Sequence, residues 1–98
     1  MTITKQADGA ALRITLVGRL DTTTSPDLEK ELQTALDGVE ELTFDFTDLE
    51  YISSAGLRVL LTAQKKMNRQ GEMVITGVND TVNEVFEITG FCDILTIE

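Results

Sequence analysis

Leu42-Thr-Phe-Asp-Phe-Thr-Asp-Leu-Glu-Tyr-Ile-Ser-Ser-Ala-Gly-Leu-Arg-Val-Leu-Leu-Thr-Ala-Gln-Lys-Lys-Met67 holds two periodicities, and the change between them decides the fold. Apolar residues alternate over Leu42–Phe46, the pattern of a short strand with one buried face, and the strand also carries Asp45. From about Ser54 to Asn68 they recur at helical spacing, with Leu57, Leu60, Leu61 and Met67 on one face. Gly71 closes this predicted helix, and Met73–Thr76 reads as the next buried strand. A strand, a crossover helix and a strand at this spacing imply a parallel pair.

Upstream, Thr2–Gln6 reads as a β-branched strand, Asp8-Gly9 as a turn, and Ala11–Val17 as a second strand with Leu12, Ile14 and Leu16 on one face. This predicts an N-terminal hairpin that Gly18 ends. Ser25-Pro26 is a helix start, with serine as the cap and proline in the first turn. Leu28, Leu32, Ala35 and Leu36 then share a face, and Gly38 stops the helix. Downstream, Asn79–Thr89 reads as a helix with Val82, Val85 and Phe86 inward, stopped by Gly90, and Ile94–Ile97 as a closing strand. The expected fold is α/β (α+β). A single mixed, mostly parallel sheet carries an antiparallel N-terminal hairpin and three helices, all in one domain over residues 1–98.

Composition narrows the function. The chain has 17 Asp and Glu against 8 Lys and Arg, a net charge of −9, and no His. Without His there is no Ser-His-Asp or Cys-His catalysis and no His-ligated metal, and the single Cys excludes a thiolate zinc site. No metal or cofactor is implied, and no enzymatic activity is expected. The acid excess argues against binding nucleic acid directly. The start lacks a basic segment followed by a long apolar one, and no run approaches a membrane span. Free Cys92 fits a reducing compartment. The expected protein is cytoplasmic, not inserted in a membrane, and a monomer.

Only three serines occur, Ser25 and the adjacent Ser53 and Ser54. The pair lies between a predicted strand and the N-terminus of a helix, where α/β proteins place their sites. Unpaired N–H groups there can hold an anion or an attached phosphate. The residues themselves leave two readings open, a capping hydroxyl or a modified one.

The run Asp45-Phe46-Thr47-Asp48-Leu49-Glu50-Tyr51-Ile52-Ser53-Ser54-Ala55-Gly56-Leu57 resembles the signature of STAS-domain anti-sigma factor antagonists. Gly18-Arg19-Leu20-Asp21, the threonines after it and Ser25-Pro26 resemble that family's first strand-to-helix loop. Gly90-Phe91-Cys92-Asp93-Ile94-Leu95-Thr96-Ile97 resembles its last turn. The resemblance implies a partner-switching protein that binds an anti-sigma factor serine kinase and so frees a sigma factor. The kinase phosphorylates the serine two residues before the glycine, here Ser54, and a metal-dependent PP2C-type phosphatase reverses this. The family often has Asp where this chain has Ser53, which makes Ser53 a rival acceptor, and a small residue where it has Arg58. The implied partner-binding residues are Asp21, Thr22, Thr23, Ser53, Ala55, Gly56, Leu57 and Arg58. The same family also supplies free-standing subunits of lipid or anion transporters, the alternative function. A small-ligand or nucleotide module is a third, although no Gly-rich phosphate loop is present.

Three features carry readings of their own. Asp45 on an apolar strand needs compensation, structural or functional. Arg58, Lys65, Lys66 and Arg69 cluster opposite the leucine face, as a docking surface or a solvated one. Cys92 reads as a small buried hydrophobe, and Met67 and Phe91 as core or near-core.

Overall fold

The computed structural model describes all 98 residues. The elements run β1 (Thr2–Asp8), β2 (Ala11–Leu20), α1 (Ser25–Ala35), β3 (Glu41–Ile52), α2 (Ser54–Met67), β4 (Glu72–Thr76) and α3 (Asp80–Thr89), followed by a single 3-10 turn at Phe91–Asp93. The strands lie in the order β1-β2-β3-β4. β1 and β2 form the antiparallel hairpin, and β2–β3 and β3–β4 are parallel. The mixed sheet and three helices are those expected.

Alternation places Leu12, Ile14 and Leu16 of β2, Leu42, Phe44 and Phe46 of β3, and Met73 and Ile75 of β4 in the core. Leu28 and Leu32 of α1, Leu57, Leu60 and Met67 of α2, and Val82 and Phe86 of α3 cover them. The core comprises 23 buried apolar residues, and one sheet face carries it. The other face presents half-buried or exposed Arg13, Thr15, Thr43, Asp45 and Val74.

Several predicted boundaries move. β3 does not end at Phe46 but runs to Ile52. Opposite β2, Thr15 pairs with Asp45 but Val17 with Asp48, and Gly18 pairs with Leu49 but Arg19 with Tyr51. β3 therefore holds an extra residue at each of two bulges. Its buried positions step from Phe46 to Leu49 to Ile52, so the alternation that marks a strand disappears while the strand continues. Gly18 likewise does not end β2. It lies on β2 beside the second bulge, opposite Leu49, with φ of 109°, a conformation that side chains resist.

The predicted strand Ile94–Ile97 reduces to one bridge between Ile75 and Ile97. The 3-10 turn consumes the residues before it, so too little extended chain is left to form a ladder. That turn also exposes Cys92, contrary to the expected burial. The inward positions go to Leu95, which is buried, and Phe91, which is partly buried against the core. Gly71 does follow α2, but α2 ends at Met67 and Gly71 has no positive φ. What needs glycine there is space: a Cβ would sit 1.8 Å from the Glu40 carbonyl oxygen, which accepts the Glu72 N–H at 2.9 Å. Gly71→Ala is expected to destabilise the fold by about 2 kcal/mol or more in chemical denaturation. A change within about 0.5 kcal/mol would exclude so close an approach.

Asp45 resolves as structural. The Thr47 hydroxyl donates to its Oδ1 at 2.6 Å, the Thr47 N–H at 3.0 Å, and Arg13 Nη2 donates to Oδ2 at 2.9 Å. These donors, the Thr47 hydroxyl foremost, hold its pKa down from 3.8 to about 2. A depressed carboxylate stabilises the fold above its unfolded pKa, and that contribution is lost as pH falls through the folded value. Asp45→Asn is expected to cost about 1–2 kcal/mol at neutral pH. In urea melts its deficit should shrink between about pH 4 and pH 2. A deficit that stays level across that range would refute the assignment.

Candidate functional site

The parallel β2 and β3 end side by side, with Leu20 opposite Ile52, and the Ser53 N–H donates to the Leu20 carbonyl at 2.9 Å. The two loops that follow them, and the N-termini of α1 and α2, therefore share one end of the sheet.

The first loop is built by Asp21 and Thr24. Asp21 Oδ1 accepts the N–H groups of Thr23 at 3.0 Å and Thr24 at 3.1 Å. Thr24 Oγ1 accepts the Asp21 N–H at 2.9 Å and donates to the Arg19 carbonyl at 2.7 Å. These bonds, the Thr24 N–H foremost, lower the Asp21 pKa. Asp21 is thus turned into its own loop, where it shapes the backbone that carries exposed Thr22 and Thr23. Ser25 does not cap α1 as predicted: Thr24 holds the N-cap position, and the buried Ser25 hydroxyl donates back to the Asp21 carbonyl. The loop's internal hydrogen bonds move the start of the helix by one residue relative to the Ser-Pro signal.

The second loop separates the two serines. Ser53 is the N-cap of α2, and its Oγ accepts the Gly56 N–H at 3.4 Å. Ser54, the first helical residue, is exposed and makes no side-chain hydrogen bond. Gly56 and Leu57 lie in the core, so their contribution to an outer surface is to position it. A Cβ on Gly56 would approach Leu20 Cγ to 2.8 Å and Ile52 Cγ1 to 2.9 Å, the two residues that join the strand ends. Ala55 and Arg58 face outward and, with Thr22, Ser25, Pro26, Glu29, Val59 and Thr62, line a cleft of about 230 Å³ between the helices.

The sequence reading missed one neighbour. The Arg19 guanidinium stacks over the Tyr51 ring, 4.5 Å from its centre, and its Nε lies 3.8 Å from Asp21 Oδ2. Only the β2–β3 register, which sets Arg19 opposite Tyr51, reveals it. α2 has no acid in its first turn, whereas α1 has Asp27 and α3 has Asp80. The positive end of α2 is thus left uncompensated beside Ser54. No three His, Cys, Asp or Glu side chains are grouped to hold a metal ion, and no helix is long and apolar enough to cross a membrane.

Gly56→Ala would gain about 1 kcal/mol of helix propensity. The buried contact with Leu20 and Ile52 costs about 1–3 kcal/mol. A net loss of about 1 kcal/mol is expected in denaturant titration, with NMR shifts concentrated at Ser53 and Ser54. A stabilised variant would show that the packing around Gly56 is looser than described.

A family model for the STAS domain matches residues 2–98. The anti-sigma-B factor antagonist of Listeria monocytogenes is 34% identical over 97 residues, covering 96% of this chain and 84% of that protein. The anti-sigma-B factor antagonist of Staphylococcus aureus is 33% identical over 82 residues, covering 82% of this chain and 76% of that protein. Among solved structures, an anti-sigma factor antagonist from Mycobacterium paratuberculosis shares the fold with a TM-score of 0.88 at 18% identity, over 98% of this chain and 83% of that one. The phosphorylated form of the Bacillus cell fate determinant SpoIIAA does so with a TM-score of 0.77 at 18% identity, over 99% of this chain and 91% of that one.

Proposed function

The chain belongs to the STAS domain family, and on that premise we propose that it is an anti-sigma factor antagonist switched by phosphorylation of Ser54. In this reading the unmodified protein binds an anti-sigma factor that is also a serine kinase, and a sigma factor is released. The kinase transfers the γ-phosphoryl group of ATP to Ser54. The Oγ–P bond forms as the bond to the bridging oxygen of ADP breaks, and the hydroxyl proton passes to a base of the kinase. A PP2C-type phosphatase hydrolyses the ester and restores the hydroxyl. The protein is the substrate in both steps and works without catalysis of its own, in the cytoplasm.

The observation that carries this reading is the division between the two serines. Ser53 Oγ is engaged as the α2 cap, whereas Ser54 Oγ is exposed and unbonded. This favours Ser54 over Ser53 as acceptor. The relatives in Listeria and Staphylococcus, which carry the name of anti-sigma-B factor antagonists, support the same class of function.

A phosphoserine adds about −1.5 to −2 charge. At the first residue of α2 it meets free N–H groups and the positive helix end, so the fold tolerates it. A partner surface matched to a neutral hydroxyl does not. Thr22, Ala55 and Arg58, which line the neighbouring cleft, and exposed Thr23 form the rest of the proposed contact, with Asp21, Ser53, Gly56 and Leu57 holding its shape.

Incubation with the anti-sigma factor kinase of its own genome and ATP is expected to add one phosphate, mapped to Ser54 by mass spectrometry. Ser54→Ala should take up none and still bind. Ser54→Asp should stay folded and bind at least about a hundredfold more weakly, a loss of about 3 kcal/mol. Phosphate on Ser53, or undiminished binding by Ser54→Asp, would refute the switch as described.

A further inference from the structure

The outer face of α2 carries charge that the proposed switch does not use. The chain has eight Lys and Arg, and four of them, Lys5, Arg13, Arg19 and Lys66, lie in ion pairs. Arg58, Lys65 and Arg69 are exposed and pair with no acid. Lys65 follows Arg58 by seven residues and Arg69 by eleven. At about 100° and 1.5 Å per residue, the three fall within about 20° of one line and span about 16 Å. Asn68 keeps helical φ and ψ of −58° and −23°, and the Arg69 N–H donates to the Lys66 carbonyl three residues back, so Arg69 lies in the tighter turn that directly follows α2.

No acid interrupts the sequence from Ser54 to Arg69, in a chain that is otherwise strongly acidic. A solvated helix face in such a protein would normally mix both signs, because pairs at positions i and i+4 stabilise it. Here the acids are instead concentrated before the site, six of them from Asp37 to Glu50 with no base among them. Lys65 in the last turn of α2 suits the negative helix end, but Arg58 lies outside that turn and gains nothing from it, so helix stability does not account for the whole row.

We infer that the Arg58–Lys65–Arg69 stripe of α2 is an electrostatic docking surface for an acidic face of a protein partner, continuous with the Ser54 site through Arg58. The inference rests on the proposed function in one respect, that the partner presenting the acidic face is the anti-sigma factor kinase. Charge complementarity identifies a protein surface over the other anions. A nucleic acid or an anionic bilayer extends past the stripe and would meet the rest of a chain whose net charge is −9, whereas an acidic protein patch can match the stripe alone. The line of the stripe holds Thr62 between Arg58 and Lys65 and no large apolar side chain, so it lacks what interfacial helices bury in lipid. Surface charges of this kind act mainly on association rate, and salt screens them.

The test compares the parent with Lys65→Glu/Arg69→Glu, both exposed positions outside the cleft lined by Thr22, Ala55 and Arg58, with thermal melts to check folding. Association with the anti-sigma factor kinase is followed by stopped-flow from 50 mM to 500 mM NaCl. The variant is expected to associate about tenfold more slowly at low salt, converging on the parent at high salt, with dissociation little changed. Lys65→Gln/Arg69→Gln should fall between the two. Equal rates and equal salt dependence in parent and variant overturn the stripe and leave the antagonist reading standing.

If the parent binds no such kinase, the antagonist reading fails, and an NMR titration with an octaglutamate peptide decides the stripe separately. Shifts at Arg58, Lys65 and Arg69 that the double variant abolishes support it, and their absence overturns it. Binding of a 20-base-pair duplex or of phosphatidylglycerol vesicles through the same residues at 150 mM salt overturns the assignment to a protein partner.

Discussion

The parallel pairing of β2 with β3 is the constraint on which the molecule depends. Two bulges let the longer β3 keep company with β2 to its end, so that Leu20 and Ile52 finish side by side. The Ser53 N–H then donates to the Leu20 carbonyl, and both helices start from one end of the sheet. If β3 were free of bulges, strict alternation from Phe46 would carry Asp48 and Glu50 inward and turn Leu49 out of the core. The carbonyl of Leu49, on the side of β3 that β4 no longer covers, accepts a hydrogen bond from the Asn79 side chain at 2.8 Å. The cap residue of α3 thereby satisfies a backbone group that the bulged strand leaves open.

The site divides its residues by burial. Gly56 and Leu57 are interior and set how closely α2 approaches the strand ends. Asp21 and Thr24 are polar but spend their hydrogen bonds on their own loop, and Ser53 spends its on the helix start. What faces outward is Thr22, Thr23, Ser54, Ala55 and Arg58, small side chains except for the arginine. Two loops held by their own hydrogen bonds, with one unengaged hydroxyl between them, suit a contact that a single charged group can abolish.

Charge follows the same geometry. The four ion pairs use half of the basic side chains, and Lys5 with Glu31 and Lys66 with Asp37 tie β1 to α1 and α2 to the end of α1. These are exposed pairs and contribute little to stability. Their consequence is distribution: they leave the unpaired positive charge of the second half of the chain on α2 and the turn that follows it.

Element order, the hairpin, the core alternation of β2 and the apolar faces of the helices were legible in the sequence, because periodicity is a local property that survives without tertiary contacts. The Ser-Ser-x-Gly junction at the start of α2 was legible for the same reason, since a strand-to-helix change needs only neighbouring residues to be seen. The extent of β3, the continuation of β2 through Gly18, the stack of Arg19 on Tyr51 and the burial of Gly56 were decided by register with another strand. No local pattern encodes that register. Thr24 took the N-cap position from Ser25 while its hydroxyl bonded Arg19 and Asp21 and capped no helix N–H, and Cys92 turned outward because the Phe91–Asp93 turn gave the inward places to Phe91 and Leu95. Sequence alone determined which segments could be strand and helix and where the paired serines fall between them. Tertiary structure decided which of the two serines is engaged and which is free, because a hydroxyl's availability depends on the donors and acceptors that folding brings to it.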